Sequence, residues 1–340
     1  MKIQHKIILS IILSIIVIMM GVGLGSVYVS PIHILNVISN KIFLTPLPPD
    51  MQSVSISIVW KLRLPRTLLA FIVGGAIAVS GTVMQSVLKN PLASSYTLGV
   101  SSGASLGAAI VIVTGFNIPF FGALTLPAVG LTFGLLTVFL AVKFAARMDK
   151  NLENNTIILV GMVFSLFVNA ILTLISAMAR EHLTHLAFWQ MGSFSLKDWS
   201  NVAILFPIVL IGIIILQYFS KEMDIMTFGE EQAFTMGVDV HKIKWILLGL
   251  SAALTGSAIS FVGVIGFIDL IAPHVVRKIF GSNHKTIVPM SVIFGGSFMV
   301  ICDLIARTII SPSELPVGAI TALVGAPFFA YVYFSKRKGL

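Results

Sequence analysis

Charge is scarce in this 340-residue chain. Only 10% of its residues are Asp, Glu, Lys or Arg, against 57% hydrophobic. A soluble domain carries about 25% charged residues, so too little polar surface exists here to cover a water-soluble globule, and lipid is the expected solvent for most of the chain. Cysteine is nearly absent. The single Cys302 excludes an intrachain disulfide and a thiolate metal site. In its apolar run it is expected to pack as a small hydrophobe. Also missing is any Gly-x-x-x-x-Gly-Lys-Ser/Thr run. Without that phosphate cradle, a nucleotide-driven activity would have to take its ATPase from another subunit.

What is present is apolar sequence in long blocks, with mean hydropathy +1.01. About 20 apolar residues cross the hydrocarbon core. On that ruler ten transmembrane helices are predicted, at 7–27, 66–88, 97–114, 119–142, 156–178, 201–219, 244–264, 268–280, 287–306 and 316–335, all within one permease-sized domain, 1–340. Residues 7–27 follow Lys2 and Lys6 as a signal sequence would, but their apolar core is longer than a signal's and reads as a retained helix. The eighth span is short.

The net charge of +9 is spread near the ends of apolar blocks, which is the pattern of orientation signals and not of a nucleic-acid groove. With both termini cytoplasmic, fifteen of the 22 Lys and Arg residues fall on inside segments and seven outside. That orientation places 220–243 in the cytoplasm. Gly99, Gly103 and Gly107 recur every four residues, and Gly74, Ala78 and Gly81 nearly do so, as stripes for close helix packing in lipid.

Several catalytic patterns fail on spacing or context. "EHLTH" (181–185) places His182 and His185 three apart with Glu181 in front, whereas a zincin needs His-Glu-x-x-His. "GVSSG" (99–103) fits a nucleophile-elbow pattern, but Ser101 opens a membrane helix instead of a strand-to-helix turn. Two carboxylates stand out, because a charge at the bilayer centre costs ~2.5–3.5 kcal/mol. Asp303 precedes Arg307 by four residues and could pair with it. Asp269 falls in "GFIDLIAPH", where Gly266 and Pro273 are expected to break the helix and admit water. Arg63 and Arg66 of "RLPR" and Arg307 sit at external span ends, against the orientation rule, which suits docking of an acidic partner. Between two spans lies a compact polar element, "GEEQAFTMGVDVHK" (229–242).

Four motifs, in order along nearly the whole chain, closely resemble the FecCD family. They are "RLPRTLLAFIVGGAIAVSGTVMQSVLKNPLASSYTLGVSSGASLGA" (63–108), "GEEQAFTMGVDV" (229–240), "GVIGFIDLIAPHVVRKIFGSNHKTIVP" (263–289) and "ELPVGAITALVGAPFF" (314–329). The resemblance implies a ten-helix permease subunit of a type II ABC importer for Fe(III)–siderophore complexes, haem or vitamin B12. It implies a second permease subunit, two cytoplasmic ATPases holding ATP-Mg, an external binding protein, and no cofactor on this chain. Residues 226–241 would be the coupling helices, with Gly229, Glu230, Glu231, Ala233, Met236, Gly237 and Val238 facing the ATPase. Acidic residues favour the start of such a helix, and Gly237 is expected to bend the chain between two short helices. Arg63, Arg66 and Arg307 would meet the binding protein. Ser176, Met178 and Asp269 are assigned to the translocation pathway. Two positions depart from the family's usual Gly-Pro-Ile-Gly-Phe-Val-Gly-Leu: Val264 replaces a proline and Asp269 a glycine, so Asp269 could tune cargo or pair with a partner subunit. Two other classes stay open. An ion-coupled secondary transporter would use Asp269, and an intramembrane hydrolase would use Ser101.

Overall fold

The computed structural model describes residues 3–48, 51 and 53–335, without the side chains of 332–335. Among the described residues it is all helix and connecting loop. Lys2, Lys336, Arg337 and Lys338, used in the orientation count, lie outside them.

Among the described residues seven helices, not ten, are long and apolar enough to cross a bilayer. They comprise α1 (Ile3–Gly23), the continuous run through α3 (Ser53–Ser57) and α4 (Leu64–Val87), α6 (Thr125–Met148), α7 (Asn154–Met178), α9 (Trp199–Tyr218), α12 (Val240–Val262) and α14 (His284–Thr308). The other three expected spans are shorter helices: α5 (Val100–Thr114), α13 (Ile268–Phe280) and α15 (Val317–Ser335). Four small helices had no counterpart among the expected spans. These are α2 (Pro31–Phe43), α8 (Leu183–Met191), α10 (Ser220–Met226) and α11 (Glu230–Thr235). The chain is therefore a multi-span helical membrane protein.

The span expected at 66–88 starts near residue 53, and the helical run passes through Pro65. That proline sits in the first turn of α4, directly after a π-helical segment, Ile58–Arg63. Proline lacks an N–H and its ring crowds the carbonyl four residues back, and a wider π turn accommodates that defect without ending the helix. Pro273 likewise lies inside α13 and does not break it. The break falls earlier, at 263–267, where Gly263 (φ +83°) and Phe267 (φ +70°) hold left-handed backbone.

α4 is the axis of the bundle. Nineteen of its 24 residues are buried, and it packs against α14, α12, α13 and α9. Small residues set that distance. A Cβ on Gly74 would collide with the Gly295 carbonyl, and one on Gly75 would stand 2.9 Å from Val292 Cγ1. The Gly103 and Gly107 stripe of α5 packs onto α6 at Gly134 and Gly130. Both stripes join helices within this chain.

Candidate functional site

Polar side chains collect at the two ends of α4. At its start, three arginines converge on one cleft of about 690 Å³, also lined by Lys61, Lys197, Asp198 and Glu314. Arg63 is only 6% exposed. Its guanidinium donates to the carbonyls of Val22 (3.2 Å), Gly23 (3.1 Å) and Val27 (2.6 Å). It thereby satisfies the orphan carbonyls at the end of α1. Arg66 forks between two carboxylates, with Nη2 2.7 Å from Asp303 Oδ1 and Nη1 2.7 Å from Glu314 Oε1. Arg307 donates to the Gly21 carbonyl and stands 3.8 Å from Asp303. The expected Asp303–Arg307 pair is thus a minor contact, and Arg66 is the principal partner of Asp303. Glu314 was not singled out from sequence, although it opens the "ELPVGA" motif. Burial pushes its carboxyl up, but hydrogen bonds from Arg66 and Ser195 outweigh that and hold it below the usual carboxylate range. Lys197, on the same rim, is pushed down by burial, against the opposing effect of Asp198.

At the other end of α4, the polar element is two short helices on an apolar footing. Gly229 (φ +136°) turns the chain between α10 and α11. Gly237 (φ +84°) instead joins α11 to the long α12, so the bend expected of Gly237 between the short helices belongs to Gly229. Glu230 and Glu231 occupy the first turn of α11, where the helix dipole favours negative charge. Glu230 also meets Lys244 Nζ at 2.8 Å, and that buried lysine donates to the Leu152 carbonyl at 2.8 Å. Ala233 and Val238 turn inward, packing with Met226 and Val240. They are footing and not contact surface. Outward stand Met236 and two residues the sequence reading passed over, Phe228 and Phe234, 74% and 75% exposed. Phe228 lies in the turn before α11, and the exposure of Phe234 depends on which face of that six-residue helix packs inward, which no periodicity that short reveals. Clefts of about 880 and 710 Å³ border the element, lined in turn by Glu153, Glu231 and Asp239, and by Asp224, Arg277 and His284.

The residues assigned to a pathway are not brought together. Ser176 donates to Leu172 of its own helix at 2.8 Å, and Met178 ends α7 at 88% exposure. Asp269 lies on α13, which packs on α4, α14 and α15, whereas α7 packs on α5 and α6. Water does not reach Asp269, which is 2% exposed and accepts from the Ser94 hydroxyl. Gln85 holds its main-chain carbonyl at 3.2 Å. Ser101 is half-buried in the first turn of α5, His182 is half-buried as well, and His185 is exposed. Among the described residues, no group of three or more His, Cys, Asp or Glu could hold a metal.

The profile of the FecCD transport family matches residues 12–335. The uncharacterized ABC transporter permease protein YvrB of Bacillus subtilis is 37% identical over 322 residues, covering 95% of this chain and 91% of that one. The hemin transport system permease protein HmuU of Yersinia pestis is 36% identical over 285 residues, covering 82% and 84%. A solved structure described as a candidate metal-chelate type ABC transporter in an inward-facing conformation superposes with a TM-score of 0.85. It is 28% identical and covers 98% of this chain and 99% of the other.

Proposed function

Because the chain belongs to the FecCD transport family, we propose that it is the permease subunit of an ATP-driven importer that moves Fe(III)–siderophore complexes into the cell by alternating access. It is a permease subunit without a nucleotide-binding motif of its own, so hydrolysis falls to a separate ATPase. The haem and metal-chelate relatives support a bulky metal complex as cargo, with haem or cobalamin as the nearest alternatives. The three short helices complete ten membrane crossings, with both termini cytoplasmic and 220–243 on the ATPase side. A second permease subunit, like or unlike this chain, closes the pathway, to which Ser176, Met178 and Asp269 are assigned.

The observation that carries the reading is the α10–α11 element. Phe228, Phe234 and Met236 stand exposed on a footing of buried Met226, Ala233, Val238 and Val240. Large apolar side chains held outward in a polar surround mark a protein contact, here with the ATPase. At the opposite end, the cleft with Lys61, Arg63, Arg66, Lys197 and Arg307 carries more positive than negative charge. That excess suits acidic surfaces of an external binding protein.

A second reading has one observation in its favour, the buried carboxylate Asp269, which an ion-coupled carrier would use. One experiment separates the two. The permease in nanodiscs, with its ATPase and binding protein, is titrated with iron-loaded siderophore, haem and cobalamin. Hydrolysis stimulated by one cargo is expected. An intact assembly whose uptake in vesicles survives ATP depletion but stops when the ion gradient collapses would favour the carrier.

A further inference from the structure

A continuous hydrogen-bonded bridge runs beneath the α10–α11 element. Asp224, on α10, accepts through Oδ1 from both the main-chain N (3.0 Å) and Nδ1 (2.5 Å) of His284. His284 begins α14 and is 2% exposed. Its other ring nitrogen, Nε2, lies 2.6 Å from Ser86 Oγ, in the last turn of α4. Arg277, in the last turn of α13, donates to Ser86 Oγ at 3.1 Å, and also to Gln85 Oε1 (2.7 Å) and the Thr82 carbonyl (3.2 Å). One proton arrangement satisfies every member. Arg277 donates to Ser86, the Ser86 hydroxyl donates to a neutral His284, and His284 donates to Asp224. The chain therefore runs from a cation on α13 to an anion on α10, and bonds ordered in one direction polarise and strengthen one another.

We infer that the Asp224–His284–Ser86–Arg277 bridge is the positioning device that passes displacement of α10–α11 to α4 and α13. This rests on the importer reading above. Two features select it. Apolar packing of Met223 and Met226 under α10 can slide through small steps, whereas a hydrogen bond fails beyond a fraction of an ångström. Displacement of α10 must therefore either break the bridge or carry Ser86 and Arg277 with it. The second is where the bridge ends. Ser86 and Gln85 close α4, the axis of the bundle, and Gln85 reaches on to the Asp269 carbonyl at the start of α13. The neighbouring Glu230–Lys244 contact leads elsewhere, to α12 and the loop at Leu152. His284 acts here through its neighbours and touches no cargo.

Asn and Gln at position 284 dissect the bridge. An Asn amide occupies the place of Nδ1 and keeps the Asp224 bond. A Gln amide occupies that of Nε2 and keeps the Ser86 bond, leaving Asp224 only the main-chain N–H of residue 284. In the reconstituted transporter, His284→Asn, His284→Gln and Ser86→Ala are each expected to raise ATP hydrolysed per cargo moved at least fivefold, with co-purification of the ATPase retained. A wild-type ratio in His284→Asn or in Ser86→Ala overturns the bridge, since one end would then be idle. Ser86→Ala removes a single hydroxyl and covers the case in which the histidine variants do not assemble. Hydrogen exchange on the permease alone gives an independent reading. Ser86→Ala should speed exchange in both 82–87 and 220–226 at least threefold, whereas an effect confined to 82–87 refutes the linkage. Failure of the wild-type assembly to hydrolyse ATP in response to any cargo would count against the importer reading, and the exchange result would still decide the bridge.

Discussion

Arg66 lies between two carboxylates of different exposure, Asp303 at 2% and Glu314 at 36%, and Glu314 is the one whose bond can be followed with pH. An exposed pair contributes little to stability, but Glu314 is also held by the Ser195 hydroxyl and ties the 309–316 loop to α4. Its carboxyl is depressed below the ordinary value of about 4.3, so the pair is fully formed above that value and is lost as pH falls through the depressed one. Thermal unfolding of wild type and Glu314→Gln should therefore differ by a constant amount from pH 7 down to about 5. The difference should vanish in stronger acid. A gap that widens on acidification would contradict the assignment. None of these pairings is deducible from the motif that contains Arg66. Asp303 is 237 residues away in sequence, and only the packing of α14 on α4 makes the two neighbours.

At the scale of the element, α10–α11 owes its shape to two glycines with different surroundings. A side chain on Gly229 would strike Gln232, whereas Gly237 has nothing within 4 Å of where a Cβ would stand. A substitution at Gly237 therefore tests backbone conformation alone. At φ +84° a β-branched residue costs about 1–2 kcal/mol, and Asn tolerates that region. Gly237→Val is expected to weaken ATPase binding to the permease about tenfold, read as a dissociation constant in nanodiscs, while Gly237→Asn stays within about threefold. Equal affinities for the two variants would show that the conformation at 237 does not position α11. The element's existence and acidic start were legible from "GEEQAF" between two apolar blocks. The division of its residues into footing and outward face was not, because Ala233 and Phe234 are adjacent and only packing against α10 and α12 decides which turns inward.

On the scale of the whole molecule, the bundle is held at its axis by glycines and not by large side chains. Lipid is as apolar as leucine, so helices gain by close backbone approach. A Cβ at Gly295 would collide with Ala78 and the Gly74 carbonyl. Main chain cannot rotate away as a side chain can, so Gly295→Leu should destabilise by about 3 kcal/mol and lower both detergent-extracted yield and melting temperature. Gly249→Leu is the control: Gly249 lies inside α12 with nothing within 4 Å, and its melting temperature should not fall. Loss in both would point to a general intolerance of volume. The sequence by itself determined the class of this protein. Apolar blocks, sparse charge and four ordered motifs follow from composition and local pattern, which a linear chain carries without folding. Tertiary structure alone decided the rest. It carried the second span back through a π turn, enclosed Asp269 against α4, committed Arg63 to the end of α1, and linked α10 to α13 through Ser86. The last three join residues far apart in the chain, and a contact of that kind is set by how helices pack, for which local sequence holds no period.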